Sequence, residues 1–160
     1  MKSIIFKVNY LILLIIFTSF FAFAPTAVNA AEHGTRDEAI ALTKQVVESL
    51  NTTGKDKTFA AVDDKSGAFV KGDLYVFIYD LNGTCLAHGA NDKLVGKNLI
   101  GMKDADGKLL IQEIVDLAKT KGSGWVEYKF WNPVSKTIDA KQSYIERVGD
   151  VLVGVGVYKN

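Results

Sequence analysis

The stretch Leu74-Tyr75-Val76-Phe77-Ile78-Tyr79, followed at once by Asp80-Leu81-Asn82-Gly83, leaves the middle of this chain few choices. Rich in β-branched and aromatic residues, the run is too short and too stiff for a typical helix. Asn-Gly is the strongest short hairpin signal, so Thr84 to His88 is expected to run back as the partner strand. Period two then sorts the side chains. Tyr75, Phe77 and Tyr79 share one face, and Val76 and Ile78 share the other.

The flanking segments carry their own signals. Thr35-Arg36-Asp37-Glu38 has the form of a capping box, and Ala39, Ile40, Thr43, Val46, Val47 and Leu50 recur behind it at helical spacing. Asn51 and Gly54 weaken that helix. Thr58 to Val62 reads as a second helical piece, and Asp63 to Gly67 as a turn. After a glycine-bearing loop to about Asp104, Lys108 to Thr120 reads as an amphipathic helix, with Leu109, Leu110, Ile114, Leu117 and Ala118 toward the core. Three further strands follow: Trp125 to Trp131, Ile138 to Arg147 and Val151 to Tyr158. The pattern predicts an α+β fold in which a five-stranded sheet is accompanied by a long N-terminal helix and one mid-chain helix. Most connections are too short for parallel crossovers, so the pairing is expected to be antiparallel.

Residues 1–30 precede this domain and have a different character. Lys2 and Lys7 lead into an apolar run from about Val8 to Ala24, Pro25 ends it, and Val28-Asn29-Ala30 places small residues where a signal peptidase cuts. This predicts a secretory signal peptide over 1–30, cleaved after Ala30 or, as second choice, after Ala31. The competing reading is an uncleaved anchor, because the run is nearly long enough to span a bilayer. Cleavage leaves residues 31–160 as a single periplasmic or secreted domain with 17 basic and 18 acidic residues.

Charge and composition remove several function classes. A formal net charge of +1 offers no basic surface for nucleic acid. One cysteine, Cys85, excludes an intramolecular disulfide and a multi-cysteine zinc or iron–sulfur site, two histidines, His33 and His88, argue against a histidine-based metal site, and no c-type haem motif is present. Asp104-Ala105-Asp106-Gly107 lacks the sixth-place glycine and twelfth-place glutamate of an EF-hand. Ser66, Ser123, Ser135 and Ser143 lie outside any nucleophile-elbow context. Neither catalysis nor a cofactor is expected.

Five segments in order then resemble one known family. They are Asp73 to Thr84 with Leu86-Ala87-His88, Leu94 to Leu99, Lys103 to Lys108, Lys141 to Tyr144, and Gly154-Val155-Gly156-Val157-Tyr158. Together they are similar to the single Cache domain, type 2, over roughly Thr35 to Tyr158. The resemblance implies a PAS-like five-stranded antiparallel sheet with a small-ligand pocket on the face away from the N-terminal helix. It also implies extracytoplasmic sensing of short carboxylates such as acetate, propionate or pyruvate. Only Lys159 and Asn160 follow Tyr158, so the expectation is a stand-alone branch without its own output domain. Pairing through the N-terminal helix into a homodimer is a further implication, whereas docking on an envelope receptor belongs to the alternative reading given below.

Ligand pockets are mostly apolar with a few convergent polar groups, and the candidates follow from that. His88 ends the second strand, where an imidazole can donate to a carboxylate, or else stands in solvent. Tyr75, Phe77 and Tyr79 either wall the pocket or pack on a helix. Lys103 stands ahead of the mid-chain helix as a cationic partner, or as a solvated loop lysine. On the fourth strand Val126, Tyr128 and Phe130 share one face, and Tyr128 is taken as a lining residue. Lys141 and Ser143 share a face opposite Gln142, Tyr144 and Glu146, and the family pattern favours Lys141 and Tyr144 as contacts. The expected function is binding of a short carboxylate by an extracytoplasmic sensor module. The alternative is an envelope protein-interaction accessory without a physiological small ligand.

Overall fold

The computed structural model describes residues 33–159, so the expected signal peptide and its cleavage site lie outside the described residues. Ten elements follow one another: α1 (Arg36–Thr52), α2 (Lys55–Asp63), β1 (Val70–Lys71), β2 (Leu74–Asp80), β3 (Cys85–His88), a single 3-10 turn (Asp92–Leu94), α3 (Leu110–Thr120), β4 (Ser123–Trp131), β5 (Ile138–Val148) and β6 (Val151–Tyr158). The strands pair antiparallel throughout. The sheet runs β2-β6-β5-β4, and β1 and β3 share the outer edge of β2, β1 along its start and β3 along its end. The five expected strands are present, joined by the two-residue β1.

Local chemistry explains the helix boundaries. The Thr35 hydroxyl accepts from the Glu38 N–H, and the Glu38 carboxylate accepts from the Thr35 N–H at 2.9 Å, closing the capping box. Where Asn51 and Gly54 weaken the helical pattern, the chain breaks into two helices, because Gly54 adopts φ 84° between them. The mid-chain helix starts two residues later than expected. The Asp104 carboxylate accepts from the N–H groups of Asp106 and Lys108, holding that stretch as a turn. Leu109 is therefore 41% exposed rather than buried, and Ile111 and Val115 join Leu110, Ile114 and Ala118 on the inner face of α3.

The sheet separates two apolar layers. On one side Val76, Ile78, Val153 and Val155 meet Ala39, Leu42 and Val46 of α1. On the other, Phe77 and Tyr79 face Ile111, Ile114 and Val115 of α3. Each fully buried aliphatic or aromatic side chain contributes about 1.5–3 kcal/mol, so the central strands β2 and β6, covered on both faces, carry much of the stability.

Strand β6 alternates valines toward α1 with Leu152, Gly154, Gly156 and Tyr158 toward α3. A Cβ on Gly154 would sit 2.2 Å from the Phe77 ring, and one on Gly156 would sit 2.0 Å from Lys141 Cε and 2.3 Å from Ser143 Oγ. The two glycines hollow the α3 side of the sheet so that large side chains can lie flat across it. Gly154→Ala is expected to cost about 1–3 kcal/mol by overpacking against Phe77. Gly101→Ala, which meets open space, should stay within about 0.5 kcal/mol of the parent. Urea-denaturation midpoints of the two variants provide the comparison.

Candidate functional site

Lys141 projects from β5 into the layer between the sheet and α3, over Gly156, and is 1% exposed. Its Nζ lies 3.7 Å from the centre of the Tyr75 ring and 4.7 Å from that of Tyr158, with Phe130 and Phe77 further out. It donates to the Tyr158 hydroxyl at 3.4 Å, and among the described residues it has no ion-pair partner. Burial drives its ammonium pKa well below the usual lysine value, opposed only by the more distant charge of Asp73. The aromatic faces stabilise the cation without neutralising it.

Tyr158 is the hub of the tyrosine network. Its hydroxyl donates to the Trp131 carbonyl at 2.6 Å and so receives from Tyr75 at 3.0 Å and from Lys141. Tyr128 and Ser143 form a second buried hydroxyl pair at 2.7 Å. Burial raises the phenol pKa values of Tyr75, Tyr79, Tyr128 and Tyr158, so all four keep their protons at neutral pH. The Cys85 thiol, pushed up to about 12 by the same burial, is inert.

His88 completes the polar set. Its Nδ1 accepts from the Ala90 and Asn91 N–H groups at 3.2 and 3.0 Å, which places the proton on Nε2. Among the described residues Nε2 has no hydrogen-bond partner. Burial, and then the charge of Lys141, lowers the His88 pKa to about 3 and keeps the ring neutral. The end of α2 holds it in place: the Asp63 carboxylate accepts from the His88 N–H at 2.8 Å.

Between these groups lies a void with about 10 Å³ for the centre of a water molecule, room for about one water. Of the eight residues singled out from the sequence, the structure brings six to its wall: Tyr75, Phe77, Tyr79, His88, Tyr128 and Lys141. The other two are placed elsewhere. Tyr144 lies on the α1 face, its ring 5.5 Å from that of Trp125, because one residue of period-two offset turns it away from Lys141 and Ser143. Lys103 is exposed in the loop, seven residues ahead of the late start of α3. Leu110, Ile111, Ile114 and Phe130 also line the void and were missed as pocket residues. The helical spacing of the α3 residues marks them only as core, because periodicity does not distinguish a packed face from a cavity wall. Tyr158 was missed as well, although its parity with Gly154 and Gly156 is a usable signal. No three His, Cys, Asp or Glu side chains among the described residues come together to hold a metal ion.

Comparison with known proteins matches this architecture to one family. Residues 26–160 match the model of single Cache domain 2. The methyl-accepting chemotaxis protein McpP of Pseudomonas putida is 35% identical over 88 residues, which is 54% of this chain and 16% of that protein. This chain therefore corresponds to a small part of that relative. A methyl-accepting chemotaxis protein from Vibrio parahaemolyticus superposes with a TM-score of 0.65 at 25% identity, covering 76% of this chain and 86% of the other. A Cache chemosensory domain, solved for the structural basis of its carboxylic acid recognition, gives 0.66 at 24% identity, covering 78% and 92%. The matched relatives also include the sensor histidine kinase MctS of Rhizobium johnstonii, 33% identical over 88 residues, and the periplasmic sensor domain of a chemotaxis protein, with a TM-score of 0.62 at 26% identity. Sheet order, helix placement and the length of the match carry one conclusion: the chain belongs to the single Cache domain 2 family.

Proposed function

We propose that this domain binds a short monocarboxylate in the void between the sheet and α3 and acts as an extracytoplasmic sensor module. The observation that carries the proposal is Lys141: a lysine buried to 1% exposure with no acidic partner among the described residues. An ammonium in such a place is costly unless an anion joins it. The neighbouring donors suit a carboxylate, since Lys141 and His88 Nε2–H have protons to give, whereas the Tyr75 and Tyr158 hydroxyls already donate theirs to Tyr158 and to the Trp131 carbonyl and serve as walls. Each charge-assisted hydrogen bond contributes about 1.5–3 kcal/mol. The void's size favours a ligand of few heavy atoms, accommodated by small shifts of the aromatic walls.

A thermal-shift screen against acetate, propionate, pyruvate, lactate, succinate, amino acids and calcium tests the proposal. A ligand at a hundred times its Kd adds about 2.7 kcal/mol, a rise of several degrees for a domain of this size. A selective shift with one carboxylate is expected. A flat response from ligand-free protein transfers the weight to the accessory reading, in which the domain docks on an envelope protein and the pocket is filled by its own aromatics.

Three further outcomes follow from the charges. Lys141→Met removes the isolated cation, so it should raise the ligand-free Tm by several degrees, about 1–2 kcal/mol, while abolishing the carboxylate shift. A bound carboxylate favours the ammonium form of Lys141, so binding takes up a proton wherever the free lysine is neutral. Affinity then falls as pH rises through that window. Calorimetry in buffers of different ionisation enthalpy reads the uptake directly. His88 has its pKa lowered to about 3, against about 6.5 unfolded, so the unfolded chain gains a proton that the folded one refuses. The resulting stability is present above pH 6.5 and is lost as the pH falls, by about 2 kcal/mol between pH 7 and 5. Urea denaturation at the two pH values should show this slope in the parent and a smaller one in His88→Gln.

A further inference from the structure

Among the described residues the large apolar side chains left exposed are Leu109, Trp131, Val134 and Ile138, and the last three belong to one hairpin end. Trp131 (50% exposed) and Ile138 (59%) are partners across the β4–β5 ladder, and Val134 (45%) stands in the turn between them. Hydrogen bonds among its polar side chains hold this tip in shape. Buried Asn132 accepts from the Val134 N–H at 2.9 Å and donates to Asp139, which also accepts from the Ser135 and Thr137 hydroxyls at 2.7 Å. Isolated apolar residues on a surface are ordinary, but three fixed outward on one tip are not. Lys103 lies beside Trp131 and Ile138, and Lys136 stands in the turn; neither has an ion-pair partner among the described residues.

The position of this tip is informative. The Tyr158 hydroxyl ties the end of β6 to the Trp131 carbonyl. The Asp73 carboxylate, ahead of β2, accepts from the Gly34 N–H at 2.8 Å and pairs with His33 Nδ1 at 2.9 Å. The register carries this junction to the same end of the sheet: the start of β2 lies against the end of β6, where Tyr158 sits opposite Lys141, three residues from Ile138. The chain preceding His33 therefore joins the domain at the end that carries Trp131, Val134 and Ile138. Eight residues, 25–32, separate His33 from the apolar run Val8 to Ala24, a reach of at most about 28 Å. Under the anchor reading, in which that run is retained in the bilayer rather than cleaved, this end of the domain is held within reach of the membrane surface.

We propose that the hairpin tip is a lipid-docking surface: Trp131, Val134 and Ile138 enter the boundary between headgroups and acyl chains of an anionic bilayer, with Lys103 and Lys136 at the phosphates. Trp suits that boundary because its ring is apolar and its N–H polar, and lysine stems lie along apolar surface while the ammonium stays in water. An apolar segment together with basic side chains is the two-part anchoring that holds proteins stably at membranes. The proposal is independent of the pocket.

The two tryptophans of the chain make it testable. Full-length protein is reconstituted into vesicles of phosphatidylcholine and phosphatidylglycerol brominated on the acyl chains near the headgroup. In Trp125→Phe, which leaves only Trp131, fluorescence is expected to be quenched at least twofold. In Trp131→Phe, which leaves Trp125 beneath Arg36 on the α1 face, little quenching is expected. Adding Val134→Ser and Ile138→Ser to Trp125→Phe should restore the fluorescence, with the circular dichroism spectrum unchanged. Trp131 unquenched, or both tryptophans quenched equally, overturns the proposal. Crosslinking of an unquenched tip to an envelope protein assigns the surface to a protein partner instead.

Discussion

A lysine enclosed by aromatic rings, with no acid to meet it among the described residues, is the feature on which the rest of this domain turns. Lys141 can lie where it does only because Gly156 has no side chain; a Cβ there would occupy the place of its Cε. Its charge helps to keep His88 neutral, and that neutral ring, with Nδ1 satisfied by two backbone N–H groups, presents Nε2–H as a donor. The rings of Tyr75 and Tyr158 reduce the electrostatic cost of the buried cation without cancelling it. What remains is a buried cationic side chain beside a neutral imidazole donor.

The same tyrosines connect the pocket to one end of the molecule. Tyr158 receives hydrogen bonds from inside the pocket and passes one to the Trp131 carbonyl, at the end where the chain from His33 joins the sheet. The Asp73 carboxylate anchors that junction from the other side. The groups that hold the lysine also hold this end of the sheet together, so pocket chemistry and end geometry share atoms.

Much of the fold was legible in the residues, for reasons that differ by element. The β2–β3 hairpin followed from a β-branched and aromatic run ended by Asn82-Gly83, and the start of α1 from the reciprocal bonds available to Thr35 and Glu38. Boundaries were less legible where one side chain decides them. Asp104 delays α3 by capturing two N–H groups, and Gly54 splits α1 from α2 through its backbone freedom. For the site, parity grouped Tyr75 with Phe77 and Tyr79, and Lys141 with Ser143. It also set Tyr144 opposite Lys141, and the family pattern that favoured both as contacts could not satisfy that geometry.

The sequence by itself determined the antiparallel α+β character, the β2–β3 hairpin and the two faces of each strand, because all of these depend on near neighbours and on periods of 2 and 3.6. Only the tertiary structure decided which face encloses a void, how large the void is, and that Lys141, His88 and Tyr158 meet there. Those residues lie 17 to 70 positions apart and are joined by the register of β2, β6 and β5 and by the depth at which α3 packs. The register places Gly156 beside Ser143 and Tyr158 beside Lys141, and no local pattern encodes that alignment.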